Sequence, residues 1–447
     1  MTVEHSPDTP AIRRRLRRPL RALLTAVVLG VVLPGAAGLA PATAAGTNAW
    51  SSATAGPGNT TYNPGESAVT AATAARVQQA WSAKQQMGSH TAPTVVNGVV
   101  YYVDNATDGS SVTRLVAASA RTGGRLWSLM LPPDQSYPNG MSVVGDVAVL
   151  AYQGWTQRAG VTAVNLRTHR LMWNKALPPL PASYSWLAPW LPGEVVADAT
   201  RVYISGGSTN PTAFRLSDGA LLWSQPISIP LAATSLAVSN GVLYGGNGQY
   251  ADRAALTAYS AATGTKLWTA PGGGLPVVAG GRVFSPTATG ITAVAAGGCG
   301  ASVCPALWTR VIRDLRQWSL AIGGADGKTL FAVWGSNSAD KATMSRLSAT
   351  TGAVLWSAPL GLSVVGTPVR GVDLVWVLTV APDTNPADGY TYRLQAYPAT
   401  GSSRLPLRTI DQAPGLGNSD EDIAVAAGTV FVQAWPQTLT AYRVAGT

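Results

Sequence analysis

Two cysteines stand close together in the segment Cys299-Gly-Ala-Ser-Val-Cys304. In an exported chain, which the N-terminus predicts, a lone close pair is typical of a disulfide. A metal site would need further ligands, and the histidines His90 and His169 are far away in the sequence. The pair therefore predicts a small loop closed by a disulfide, which restricts the unfolded chain.

Aromatic residues cluster in a second segment, Tyr184-Ser185-Trp186-Leu187-Ala188-Pro189-Trp190. Aromatic rings stack on sugar faces and anchor protein partners. Tyr184, Trp186 and Trp190, with Trp155 from a comparable loop, are the candidate ligand-binding residues. The alternative is that these rings only pack locally against the fold.

Oxygen-bearing side chains are concentrated in the loop from Asp383 to Gly389. Asp383, Asn385 and Asp388 are spaced as calcium ligands often are, although Pro386 interrupts the pattern. They are the candidate metal ligands, and a solvated acidic loop is the alternative.

No arrangement typical of catalysis is recognisable. A Ser–His–Asp site needs a histidine held by a carboxylate, and neither His90 nor His169 has an identifiable partner. The glycine pairs are typical of hairpin turns rather than of a phosphate-binding loop. The sequence therefore predicts no catalytic residue.

The N-terminus has the layout of a secretory signal. Arginines between Arg13 and Arg21 precede an apolar run, Leu23 to Leu33, and small residues continue to Ala45. We expect cleavage after Ala44 or Ala45, a secreted or extracytoplasmic protein and no stable membrane span afterwards. A retained anchor is the alternative, and both twin-arginine and general export fit. No basic run follows Arg21, so nucleic-acid binding is not predicted.

Tryptophan recurs every 40 to 50 residues through the rest of the chain, a period typical of propellers and solenoids. A turn marker lies four residues before each tryptophan after the first; it is usually glycine, and His169 and Cys304 replace it in two repeats. Leu405 is expected to replace tryptophan in the next repeat. We call the recurring residues the blade tryptophans: Trp81, Trp127, Trp173, Trp223, Trp268, Trp308 and Trp356.

Each repeat is expected to contain four antiparallel strands. Tight-turn pairs such as Asn97-Gly98 and Asn240-Gly241 lie between alternating apolar residues, a strong hairpin signal. A single four-stranded unit cannot bury both faces, but units stacked radially can. The blade tryptophans are then structural, wedged between neighbouring units.

The chain ends predict how the ring closes. The last repeat stops at Gly446, where its fourth strand should begin, and an unpaired strand with Trp81 stands at the other end. The N-terminal strand would therefore complete the last blade. We predict an all-β, eight-bladed propeller over residues 76–447, a lead-in over 46–75 and a signal peptide over 1–45.

The repeat resembles that of the pyrroloquinoline-quinone (PQQ) type of β-propeller. Ala258, Thr263-Gly264 and Leu267-Trp268 follow the Ala-x-x-x-Thr-Gly-x-x-Leu-Trp pattern, and Tyr62 to Glu66 resembles the lead-in of secreted members. The superfamily includes quinoprotein dehydrogenases, envelope-assembly scaffolds and kinase sensor domains, so the resemblance leaves function open.

The resemblance implies two hypotheses. Dehydrogenases of this type hold PQQ with calcium, and many carry a disulfide of adjacent cysteines, whereas Cys299 and Cys304 are separated. We therefore expect a non-catalytic binding or scaffold protein without a cofactor, whose partner is a protein or a glycan. The alternative is an oxidoreductase that uses PQQ and calcium on an alcohol or sugar.

Overall fold

The computed structural model describes most of the chain after residue 47. All described residues belong to one compact unit, Pro41–Thr447. The described ranges are 48–85, 91–105, 113–132, 137–153, 159–177, 194–206, 209–225, 234–247, 255–316, 319–335, 341–360, 363–382, 390–401, 403–412, 422–434 and 438–446.

The unit is an eight-bladed propeller of four-stranded antiparallel sheets, as the repeats predict. A short 3₁₀ helix, Ala74–Arg76, precedes the first strand. In chain order, the strands of blades 1 to 4 are β2 (Thr94–Val96), β3 (Val99–Asn105), β4 (Thr113–Ser119) and β5 (Arg125–Met130); β6 (Tyr137–Val144), β7 (Val147–Gln153), β8 (Gly160–Asn165) and β9 (Arg170–Ala176); β10 (Glu194–Ala197), β11 (Arg201–Gly206), β12 (Thr209–Arg215) and β13 (Leu221–Ser224); and β14 (Thr234–Ser239), β15 (Val242–Asn247), β16 (Ala255–Ser260) and β17 (Lys266–Pro271).

Blades 5 to 7 repeat the arrangement, and blade 8 combines both ends of the chain. Their strands are β18 (Val277–Ala279), β19 (Arg282–Thr287), β20 (Gly290–Ala295) and β21 (Trp308–Val311); β22 (Ala321–Gly323), β23 (Thr329–Gly335), β24 (Ala342–Ser348) and β25 (Val354–Pro359); β26 (Ser363–Arg370), β27 (Leu374–Pro382), β28 (Tyr390–Pro398) and β29 (Arg408–Asp411); and β30 (Asp422–Ala426), β31 (Thr429–Ala434), β32 (Thr438–Val444) and β1 (Val77–Lys84).

The N-terminal strand closes the ring by pairing with the last strand of the chain. β1 runs antiparallel to β32, from Val77 opposite Val444 to Lys84 opposite Thr438. Trp81 lies opposite Ala441 in this pairing. The closure predicted from the chain ends is therefore confirmed.

Most blade tryptophans pack against the turn of the next blade, whereas the indole nitrogen of Trp356 makes no such hydrogen bond within the described residues. The indole of Trp81 donates a hydrogen bond from Nε1 to the carbonyl oxygen of Ala120, at 3.2 Å. Trp173 and Trp308 make the equivalent bonds to Leu216 and Ala349. The tryptophans thus join neighbouring sheets, and buried residues of adjacent blades form shared apolar clusters.

The residue before the tryptophan is a β-bulge in most blades. In blade 1, Ala117 pairs with Trp127 and Ala118 with Arg125, so Leu126 has no partner across the ladder. A bulge adds one residue to a strand and redirects its neighbours. This local geometry turns the repeated leucine towards solvent and the tryptophan towards the next blade.

Blade 7 departs from the sequence prediction for Leu405. Leu405 is 75% exposed and precedes the strand, whereas Arg408 lies opposite Ala396 in the register that tryptophan occupies elsewhere. Trp376, fully buried on β27, lies opposite the same alanine. The same second-strand position is aromatic in other blades, at Tyr101, Tyr244 and Phe284, so blade 7 keeps this ring and lacks only the fourth-strand tryptophan.

The two other replacements for the turn glycine have different outcomes. His169 adopts a positive φ of 56° and stacks on Trp127, with ring centroids 4.5 Å apart, so it occupies the turn position. The prediction for Cys304 is wrong, because Gly298, with a φ of 80°, is the residue that lies against Trp268. The longer turn of blade 5 separates these two positions.

Candidate functional site

The predicted ligand and metal residues cannot be placed by the structure. Tyr184, Trp186, Trp190 and Trp155 lie outside the described residues, as do Asp383, Asn385 and Asp388. Asp422 begins β30, the innermost strand of blade 8. The site residues that the structure does place are the blade tryptophans and the cysteines.

The lead-in follows the inner strands of the propeller. Trp50 exchanges two backbone hydrogen bonds of 2.7 Å with Val95 in blade 1, and the amide of Val143 in blade 2 donates to Ser51. Further along, Val238 and Val278 of blades 4 and 5 donate to Pro57 and Gly58. The segment therefore passes round the inside of the ring in blade order.

Buried polar side chains fix the middle of the lead-in. The amide Nδ2 of Asn59 donates to the carbonyl oxygens of Leu236 and Pro276, at 2.6 and 3.1 Å, and so bridges blades 4 and 5. The hydroxyl of Thr61 donates to Pro368 in blade 7 and accepts from the amide of Gly324 in blade 6. Both side chains are buried, so these bonds satisfy polar groups that water does not reach.

The end of the lead-in contacts blade 8. Nδ2 of Asn63 donates to the carbonyl oxygen of Val425 at 2.8 Å. The fully buried carboxylate of Glu66 accepts bonds from the amides of Ala68, Val69 and Gly428. The contacts lie near the last residues of the first strands, so the lead-in runs along the inner strands beside the turns between strands one and two.

A buried ion pair stands beside this segment. Arg370 donates from a terminal nitrogen to a carboxylate oxygen of Asp326 at 2.7 Å, and its guanidinium carbon lies 4.8 Å from the ring centroid of Tyr62. Burial alone would raise the pKa of Asp326. The amides of Thr329 and Lys328 and the charge of Arg370 outweigh burial and lower that pKa. The pair thus ties blades 6 and 7 to the lead-in.

The described residues do not fit a quinone held by calcium. Calcium prefers six to eight oxygen ligands, including carboxylates. Within the described ranges, no group of three or more His, Cys, Asp or Glu side chains could hold a metal ion. The buried carboxylates of Glu66 and Asp326 are occupied by backbone amides or Arg370. We therefore derive no chemistry through PQQ from these residues.

The disulfide loop of blade 5 covers the outer edge of blade 4. Cys299 and Cys304 form a disulfide. The amide of Thr269 in β17 donates to the carbonyl oxygen of Ser302 at 2.9 Å, and its own carbonyl oxygen accepts from the amide of Cys304 at 2.7 Å. Val303 thereby makes a parallel bridge to Thr269. The loop adds a short extended segment to a sheet edge.

Aliphatic side chains are exposed on the outer strands of several blades. Leu126 and Met130 in β5 are 56% and 63% exposed, and Leu307 and Val311 in blade 5 are 56% and 61% exposed. Other large apolar side chains exposed on outer strands are Leu171, Met172, Leu221, Leu222, Leu267, Val354 and Leu355. These side chains lie on separate blades, so each outer strand is considered as a contact edge by itself.

A shallow recess of about 270 Å³ lies where the ring closes. Arg121 from the turn of blade 1 and Arg443 from β32 both line it. A terminal nitrogen of Arg443 donates to the carbonyl oxygen of Arg121 at 3.5 Å. This recess is a positively charged surface close to the start of β5.

No helix in the described part of the chain has the length and apolar character needed to cross a bilayer.

Solved structures of three alcohol-oxidising enzymes share the fold. A europium-containing methanol dehydrogenase is 11% identical, with a TM-score of 0.59, over 87% of this chain and 89% of the enzyme. The quinohaemoprotein alcohol dehydrogenases of Pseudomonas putida HK5 and Comamonas testosteroni are each 13% identical, with TM-scores of 0.62 and 0.57. The match to the Pseudomonas enzyme covers 90% of this chain and 81% of the enzyme. The match to the Comamonas enzyme covers 91% of this chain and 82% of the enzyme. At this identity, the likeness concerns the fold alone.

Sequence comparison gives the family. No curated protein matches the chain. The family model PQQ_2, described as outer membrane protein assembly factor BamB, matches residues 35–270, more than half of the 447 residues. The chain therefore belongs to the PQQ_2 family of β-propeller proteins.

Proposed function

We propose that the protein is an extracytoplasmic scaffold that binds a protein partner and catalyses no reaction. The observation that carries the proposal is the exposure of Leu126 and Met130 on β5, with Leu307 and Val311 exposed at the outer edge of blade 5. A strand edge that exposes several large apolar side chains, as β5 does with Leu126 and Met130, offers a partner protein an apolar contact surface. The family description, an assembly factor, supports a partner that is itself a protein.

Aliphatic side chains favour a protein over a glycan. Sugar faces bind to aromatic rings, whereas methionine and other large apolar side chains are typical of protein interfaces. A glycan site would instead rest on Tyr184, Trp186, Trp190 and Trp155. Their role stays a prediction, and the loop that contains three of them is an independent target for mutation.

The partner can be sought with the mature chain as bait. We expect the bait to retain a specific protein from detergent-solubilised envelope or culture fractions of its host. A bait with Leu126, Met130, Leu307 and Val311 changed to serine should lose that protein. A bait with Trp186→Gly and Trp190→Gly should keep it. Loss with the second bait only would assign binding to the aromatic loop and contradict the outer-strand surface.

The same protein preparations test the enzymatic alternative. PQQ and calcium are added, and thermal stability, the quinone absorbance and dye reduction with alcohols and sugars are measured. We expect no change in melting temperature and no dye reduction. A shifted quinone spectrum with substrate-dependent dye reduction would overturn the proposal in favour of an oxidoreductase.

Export is tested separately. The proposal expects mature protein outside the cytoplasm, with an N-terminus at Ala45 or Gly46. A full-length chain in the membrane pellet would support a retained anchor. A full-length chain in the cytoplasm would contradict an extracytoplasmic role.

A further inference from the structure

The edge of blade 4 shows how an extended segment binds to this propeller. Thr269 lies one residue after the blade tryptophan Trp268, and both its backbone amide and its carbonyl face outwards to Ser302 and Cys304. The added segment comes from the chain's own disulfide loop. Addition of a strand to a sheet edge is also a general mode of peptide recognition.

Three other outer edges carry a residue that opposes such an addition. In β25, the third residue after the blade tryptophan is Pro359. The same position in β17 is Pro271, and there the disulfide loop pairs at Thr269, two residues before the proline. In β29 and β1, the strand ends at a charged residue, Asp411 or Lys84. Proline and charge are the usual means of blocking an edge strand. In β5, the same position is Met130.

The backbone of β5 has the orientation that an added strand needs. The amide of Leu131 donates to Thr113 and therefore faces inwards, towards β4. Because successive residues of a strand alternate in direction, Ser128 and Met130 direct their amides and carbonyls outwards. Ser128 pairs with Val116 in the register in which Thr269 pairs with Thr257. Ser128 is thus the counterpart of Thr269.

Blade 5 has a similar edge but a less suitable one. Val311 takes the position of Met130, yet the exposed Arg310 precedes it within the short strand β21. In β5, the only charged residue is Arg125, at the first position. Within the described residues, β5 is the last strand of its sheet and no segment pairs with its outer side.

Charge distinguishes between occupants of this edge. Arg125 begins the strand, and Arg121 and Arg443 line the recess beside the preceding turn. A second copy that pairs antiparallel along this edge would place Arg125 opposite the apolar end of the other strand, and β5 contains no acidic residue to pair with these arginines. A partner segment with acidic residues at one end and apolar residues beyond would complement both the arginines and the exposed Leu126 and Met130.

We propose that the outer edge of blade 1, Arg125–Met130, binds an extended, acid-tipped apolar segment of a partner protein by strand addition. This inference rests on the proposed protein-binding function and gives that function a place on the fold. Backbone bonds to Ser128 provide the binding, as Ser302 and Cys304 provide it at Thr269. The arginines set the direction of the segment.

The test uses a short soluble peptide of alternating valine and threonine that begins with aspartates and carries a fluorescein label. Its binding to the mature chain is followed by fluorescence anisotropy and by hydrogen exchange of the chain's amides. The test variant is Ser128→Pro, which removes an outward amide without breaking the bonds to β4. The control is Thr409→Pro. Thr409 holds the equivalent position on β29, the outer strand that ends at the charged Asp411.

We expect the wild-type chain to bind the peptide and to gain protection at the outward amides of Ser128 and Met130. Ser128→Pro should weaken binding by about tenfold or more, because a backbone hydrogen bond is lost and the ring obstructs the strand. Thr409→Pro should bind as the wild type does. Equal binding by the Ser128→Pro variant, if circular dichroism shows it to be folded, would overturn the inference.

Two further outcomes separate this inference from the proposed function. If the Ser128→Pro bait still retains the envelope partner, the scaffold role stands and this edge is not its site. If no bait retains a protein, the proposed function itself fails. A concentration-dependent dimer of the wild type that Ser128→Pro abolishes in sedimentation would assign the edge to a second copy and overturn the partner proposal.

Discussion

The indole of Trp81 lies so close to Gly123 that a Cβ on this glycine would come within 2.7 Å of the ring. Trp81 belongs to the strand that closes blade 8, and Gly123 to the turn of blade 1. This contact packs the strand that closes blade 8 against blade 1, where the ring closes. Gly219, Gly264 and Gly352 repeat the contact with Trp173, Trp223 and Trp308.

Gly123→Ala should destabilise the ring by more than backbone strain alone. Gly98 provides the comparison, because it has nearly the same φ, 74° against 70°, but open space around its Cα. Gly98→Ala should cost about 1 kcal/mol for the positive φ. Gly123→Ala should cost about 1–3 kcal/mol more, because the methyl group displaces Trp81. Urea unfolding measures both, and equal losses would contradict the packing role of the contact.

Asn59→Ala should destabilise the propeller through the lead-in. The change leaves the buried carbonyl oxygens of Leu236 and Pro276 without the amide donor that bridges them. An unsatisfied buried group costs about 1–3 kcal/mol, so we expect a loss in that range or above it. Ser67→Ala, on an exposed residue of the same segment, should change the unfolding free energy little. A neutral Asn59→Ala would show that the lead-in does not hold the blades together.

Asp326→Asn should remove part of the acid sensitivity of the fold. The folded-state pKa of Asp326 is lowered, so its contribution is present above the unfolded pKa, about 3.9. That contribution is lost as the pH falls through the folded pKa. The variant should lose about 3 kcal/mol at pH 7, because Arg370 stays buried without its partner, and the difference from wild type should shrink in acid.

Unfolding in urea at pH 7 and in acid tests this dependence on Asp326. Asp218→Asn, in an exposed ion pair with Arg215, is the control and should leave stability unchanged at pH 7. If the difference in unfolding free energy between wild type and Asp326→Asn stays constant with pH, the role given to the ion pair is contradicted.

Replacing both cysteines by serine should have a local and a global effect. The short closed loop restricts the unfolded chain, so its loss should cost about 2 kcal/mol. The loop also holds Ser302 and Cys304 against Thr269, and its release should speed hydrogen exchange at the amide of Thr269. The amide of Leu131, which bonds to Thr113 inside blade 1, is the internal reference. Unchanged exchange at Thr269 would show that the edge is covered without the disulfide.

The sequence predicts the architecture well because its main determinants are local and repeated. Positive-φ turns such as Asn97-Gly98 and the recurring tryptophans define the strands, and the interrupted last repeat predicts the closure. The predictions for Leu405 and Cys304 are wrong because the distance from the turn to the fourth strand differs in these two repeats. In blade 7 Arg408, not Leu405, takes the register of the missing tryptophan, and in blade 5 the longer turn moves the contact to Gly298.

The candidate surfaces were harder to predict. The contacts of Asn59, Thr61 and Glu66 join residues hundreds of positions apart, and no local pattern encodes such pairs. The bulge that exposes Leu126 could have been inferred from the repeated Leu-Trp pair. Strand addition at Thr269 depends on how two blades meet, which periodicity does not show.

Photo-crosslinking in the native host tests the protein-binding role most directly. A photoreactive amino acid replaces Met130 in one strain and Thr409 in another, and adducts of the chain are identified after irradiation. We predict one specific protein joined at position 130 and absent at position 409. No adduct at position 130, together with substrate-dependent dye reduction by the purified chain with PQQ and calcium, would contradict the account.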